Sequence, residues 1–103
     1  MRKRSSTTPA APAGLSAEAR ELWRRTLDEY AFDVGADLTL LRELCATVDR
    51  LRQVQKEIKA VGLTVTGASG QVRANPLLQV EDQQRRTILA HVRALRLTAA
   101  LEF

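Results

Sequence analysis

Few side chains in this sequence have the type and spacing needed for bond-making chemistry. There is a single histidine, His91, and a single cysteine, Cys45. His91 has no second ligand close in sequence and falls near an apolar helix face, as a packing or surface histidine does. Cys45 lies among leucines and reads as a small core residue; one cysteine also rules out an internal disulfide. Glu81 and Asp82 each have an arginine four residues on, Arg85 and Arg86, so they read as helix-surface ion pairs rather than a metal site. The stretch "GASG", residues 67–70, lacks the Lys-Ser/Thr of a phosphate loop. The expectation is therefore a protein that is not an enzyme, with no catalytic residues, no bound metal and no cofactor.

The cations are more informative. Sixteen Lys and Arg face twelve Asp and Glu, giving a net charge of +4 and a pI near 10.0, a balance that favours polyanionic partners. Some arginines have acids one turn away: Glu21 with Arg25, Arg24 with Asp28, Arg25 with Glu29. Others do not. Arg52, Lys56 and Lys59 form one ridge with only Asp49 nearby. Arg93 and Arg96 sit near a helix C-terminus, Arg73 lies in a turn region, and Arg2, Lys3 and Arg4 begin the chain. These nine are the candidate DNA contacts. Phosphate contacts of this kind position a duplex without reading its bases. Aromatics are only 4% of the chain, too few to supply both a core and a stacking platform for single strands.

The elements that must carry these residues are mostly helical. Residues 1–14 hold no large apolar side chain after Met1 and are expected to form a disordered basic arm. The remainder, 15–103, reads as one helical domain. Helix one is expected over about residues 17–31, with Ser16 as N-cap and Leu15, Ala19, Leu22, Trp23, Leu27 and Tyr30 at helical spacing. Asp37 is expected to cap a long second helix, residues 38–61. There Leu41, Leu44, Val48, Leu51 and Ile58 repeat at three and four, and Leu38, Leu40, Cys45, Val54 and Val61 widen the face. Gly62 signals its end. "GLTVTGASGQVRANPLL" then breaks the pattern: Leu63–Thr66 and Gln71–Arg73 predict a small β-hairpin around Gly67–Gly70. Asn75-Pro76 restarts helix three, expected to run from Pro76 to about Arg96 with Ile88, Leu89, Val92 and Leu95 on its apolar side. Thr98 is placed to cap a final turn, "AALEF". The fold class is thus mainly α: three helices, the central one long, a β-hairpin between the second and third, and a short C-terminal helical turn. No run of about 18 apolar residues is present to span a membrane. No apolar stretch follows the N-terminal charges as a secretory signal requires.

The order "LSAEARELWRRTLDEY", then "DLTLLRELCATVDRLRQVQKEI", then a Gly-bracketed hairpin running into Asn-Pro-Leu, resembles the small terminase subunits of tailed bacteriophages, in the short phage and prophage group with one central hairpin. The resemblance covers about residues 13–98. Members commonly carry a Gly before Leu-Thr, followed by Pro and Arg; here Arg96 precedes Leu97-Thr98. The resemblance implies a ring-forming, non-enzymatic adaptor in the host bacterial cytoplasm. It would bind double-stranded viral DNA at the packaging start and pass it to the terminase large subunit, whose activities it regulates. In this reading the hairpin is a protruding or subunit-bridging element. From the residues alone, two other readings stay open: a helical protein-interaction module, and a phage-encoded DNA-binding regulator.

Overall fold

A computed structural model of the chain describes residues 9–30 and 35–97. Its elements run α1 (Ala17–Glu29), α2 (Ala36–Val61), β1 (Thr64–Thr66), β2 (Val72–Ala74) and α3 (Leu77–Ala94). The mainly α architecture with a hairpin between the second and third helices is as expected. The proposed final turn at Thr98 and "AALEF" lies outside the described residues.

Ser16 starts α1 by accepting from the Ala19 amide at 3.1 Å, and the same serine donates its own backbone N–H to Asp49 of α2 at 2.8 Å. One residue thus satisfies a free helix amide and fixes the angle of α1 on α2. The helix ends earlier than expected: Tyr30 is already extended, and its N–H closes the last turn on Thr26. Asp37 does not cap α2. Gly35 does so through its backbone, at φ 88°, its carbonyl accepting the Thr39 amide at 3.0 Å. A glycine at positive φ lets the chain turn in without a side-chain cap, so the helix starts two residues sooner and Asp37 falls within its first turn.

The five residues of the three-four repeat in α2 are all buried. They join Leu15, Ala19, Leu22, Trp23 and Leu27 from the α1 region and Ile88, Leu95 and Leu97 from the end of α3, except that Ile58 lies outside the main cluster. The core therefore sits at one end of a molecule measuring 62 × 23 × 22 Å. Beyond Leu51, α2 and α3 continue as an antiparallel pair with Ile58 as their one buried side chain before Ile88. Residues 9–14, the end of the expected basic arm, touch the helices at two points. The Trp23 indole donates to the Pro9 carbonyl at 2.9 Å, and Ala11 packs on the core.

Helix α2 stops at Gly62, whose φ of 106° and ψ of 178° lie in a region essentially reserved for glycine. The hairpin register is Thr64 with Ala74, Val65 with Arg73, Thr66 with Val72. Its loop closes with Gly70 donating to the Gly67 carbonyl at 2.9 Å, Gly70 being left-handed at φ 85°, a three-residue hairpin loop of a common kind. Asn75 then locks the junction. Its amide donates to the Gly62 carbonyl at 2.8 Å and its Oδ1 accepts from Leu77 at 3.0 Å. Pro76 precedes α3 rather than opening it.

At the other end of α3, Leu97 donates to Val92 and Arg96 to Arg93, with Arg96 left-handed at φ 58°. This is the paired 6→1 and 5→2 bonding that closes helices around a residue usually glycine. Helix three therefore stops at Ala94, and Arg96 occupies the left-handed position itself.

Candidate nucleic-acid interface

The described residues hold no group of three or more His, Cys, Asp or Glu able to bind a metal ion. Cys45 is buried, and burial followed by the nearby Asp49 carboxylate pushes its thiol up to about 12. It stays protonated and apolar at neutral pH. His91 is half-buried, its Nδ1 enclosed without a hydrogen-bond partner. Glu81 with Arg85 and Asp82 with Arg86 form the helix-surface pairs that their spacing predicts.

The cations divide into three groups. Arg2, Lys3 and Arg4 lie outside the described residues. Arg52 is not unpartnered, contrary to the spacing argument. Its Nε and Nη2 donate to the Glu18 carboxylate of α1 at 3.0 Å each, and Nη1 donates to Gln55 at 3.0 Å. Its hydrogen bonds to the Glu18 carboxylate raise its pKa above the ordinary guanidinium value. Asp49, the one acid expected to serve the ridge, is taken by the Ser16 backbone and hydroxyl. Lys56, Lys59, Arg73, Arg93 and Arg96 are exposed.

These exposed cations do not converge on one patch. Lys56 and Lys59 lie on the last two turns of α2, Arg73 on the hairpin beyond them, and Arg93 and Arg96 at the core end of the antiparallel α3. Arg42 and Arg50 were missed by the sequence argument. Both are exposed on α2, and neither has an acid three or four residues away, so the same i,i+4 test would have found them. Arg42, Arg50, Lys56 and Lys59 are thus all exposed on α2, but at about 100° per residue they spread around roughly half of the helix, Arg50 and Lys59 lying on opposite faces; Glu43 and Glu57 are its exposed carboxylates in this stretch. From Arg42 to Lys59 the helix rises roughly 25 Å, enough to follow several phosphates of a duplex.

Helix α1 presents the opposite balance near Arg24. This arginine bridges Glu21 and Asp28, so Glu21 is engaged by Arg24 rather than by the expected Arg25. The hydrogen bond from Arg24, with desolvation working against it, lowers the Glu21 pKa. Among the described residues no helix is long and apolar enough to cross a membrane.

Searches of curated proteins and of solved structures return no match. A family profile described as phage terminase, small subunit, matches residues 19–102. That span takes in α1 from its first buried turn, the whole of α2, the hairpin and α3, so the chain belongs to the phage terminase small-subunit family.

Proposed function

We propose that this protein is a DNA-binding, oligomeric adaptor that recognises viral double-stranded DNA and regulates the terminase large subunit during genome packaging. It does so in the host bacterial cytoplasm, without catalytic chemistry of its own. The observation carrying the reading is the set of exposed cations on α2, Arg42, Arg50, Lys56 and Lys59, which outnumber the exposed carboxylates Glu43 and Glu57. Cations held on a rigid helix suit a phosphate backbone, and the charge itself carries no base specificity. Arg73, Arg93 and Arg96, with Arg2, Lys3 and Arg4, would add contacts once several copies stand side by side in a ring. Arg52 contributes after release from Glu18.

The test is duplex binding by fluorescence anisotropy across a salt series, with native mass measured on the same samples. The expected result is a multi-subunit species whose log affinity falls linearly with log salt, by roughly 0.9 per phosphate contact. A protein that does not retain duplex in dilute buffer would overturn the reading.

A further inference from the structure

Phosphate contacts from α2 carry no base specificity, so reading a DNA sequence needs another element. The hairpin stands clear of the helices: from Thr64 to Ala74 only Val65 and Gly67 are not exposed. It is held at both ends. At the root, Asn75 donates its backbone N–H to Leu63 and its side-chain amide to Gly62, each at 2.8 Å. At the tip, Gly67 donates to the Gln71 carbonyl at 2.8 Å, and the Ser69 hydroxyl donates to the Gln71 side-chain oxygen. Bonded and non-bonded pairs alternate in an antiparallel ladder. The Thr64–Ala74 and Thr66–Val72 pairs are therefore the non-bonded ones, and their N–H groups point outward along both edges. The side chains of these four residues share one exposed face, while Leu63, Val65 and Arg73 alternate onto the other.

The surroundings are net positive. Lys56 and Lys59 outnumber Glu57 on the last two turns of α2, Arg73 is exposed on β2, and Glu81 and Asp82 of α3 are bridged to Arg85 and Arg86. A polyanion is the matching partner. The open face carries two threonines, a valine and an alanine, with none of the aromatic or arginine anchors on which protein interfaces centre.

We infer that the hairpin is a base-reading ribbon, which enters the major groove of a duplex with Thr64, Thr66, Val72 and Ala74 toward the base edges. This deepens the DNA-binding reading and rests on it. The major groove is about 12 Å wide and admits a two-stranded β-ribbon. There the threonine hydroxyls hydrogen-bond base edges, and the methyl groups of Val72 and Ala74 meet thymine methyls. The outward N–H groups face the flanking phosphates, with Lys59 and Arg73 beside them. Each three-residue strand spans about 7 Å, the length of about three base pairs at roughly 3.4 Å spacing.

The test selects a randomised duplex pool on the wild type in dilute buffer. The enriched duplex and a scrambled one are then titrated across a salt series, with native mass and helical circular dichroism measured for every variant. The wild type is expected to enrich a short motif. Thr64→Val with Thr66→Val keeps the side-chain shape and removes the hydroxyls. Its preference for the enriched duplex is expected to fall about fivefold or more, with the salt slope unchanged. Arg73→Ala is expected to weaken both duplexes alike and to reduce the slope by about 0.9, keeping the motif. A folded valine double variant of wild-type mass that keeps the full preference overturns the inference and leaves the DNA-binding reading intact. So does a wild type that holds duplex without enriching any motif, a result that would leave the hairpin to a protein partner. A wild type that holds no duplex overturns both. If the valine double variant loses its fold or mass, Val72→Thr with Ala74→Ser carries the test: a shifted motif supports the inference and an unchanged one overturns it.

Discussion

Reversing the charge at Arg52 and at Lys56 should have different consequences, although the two residues are one turn apart on the same helix. Arg52→Glu removes a guanidinium held on Glu18 at 3.0 Å and leaves two carboxylates facing each other across the α1–α2 contact. The pair is exposed, with side chains at 37% and 50%, so its loss alone is worth about 0–1 kcal/mol. The new repulsion adds about 1 kcal/mol at a separation near 4 Å in a water-like dielectric. A total near 1–2 kcal/mol should lower Tm by roughly 4–8 °C per kcal/mol in a domain of this size. Lys56→Glu breaks no contact of this kind and should stay within the about 0.5 kcal/mol usual for surface changes, while weakening duplex binding and flattening its salt dependence. Thermal circular dichroism and the anisotropy salt series separate the two effects. The control is the swap Glu18→Arg with Arg52→Glu, which should recover most of the lost stability. Arg52→Glu melting like wild type would refute the α1–α2 bridge as a stabilising contact. Lys56→Glu binding duplex with wild-type affinity and slope would refute the α2 face as the phosphate contact.

Leu44→Ala, at a fully buried position, should cost about 2–5 kcal/mol in chemical denaturation, whereas Val61→Ala, mostly exposed in the single chain, should leave the monomer's stability nearly unchanged. Arg96→Gly should raise stability by about 0.5–1 kcal/mol, because relief of the left-handed strain exceeds the entropy added to the unfolded chain; an unchanged or lower melting temperature would argue against the cap geometry. Asn75→Ala removes both bonds of the junction and should cost about 1–2 kcal/mol, measured by urea titration. Cys45 should resist thiol reagents in the native state and react at once in denaturant. Its raised thiol pKa means the folded form holds its proton longer than the unfolded one, so its contribution is complete below about pH 9 and is lost as pH climbs toward 12.

Local signals were legible where the deciding atoms are close in the chain. Ser16, the three-four apolar repeat and Gly62 each act within a few residues, and each lies where periodicity and capping place it; Asn75-Pro76 marks the restart one residue ahead of the helix itself. The limits appear where a partner comes from elsewhere. Arg52 looked unpartnered because its carboxylate, Glu18, is 34 residues away. The Trp23 bond to Pro9 spans 14 residues and joins a segment whose composition suggested nothing to hold it. The choice of Arg24 over Arg25 by Glu21 is a matter of rotamers between two permitted spacings. The candidate site was legible as a set of cations but not as a surface, since its shape depends on which side of α2 the other helices cover.

The off-centre core has a consequence for motion. Amide protons around Leu41–Leu51 are sealed by three helices, while those flanking Gly62 and the hairpin rest on a two-helix extension with little behind it. Deuterium should therefore enter the far end through frequent local opening and reach the near end only when the whole chain unfolds. Whatever docks at the far end would abolish that difference, making exchange there a sensitive reporter of assembly.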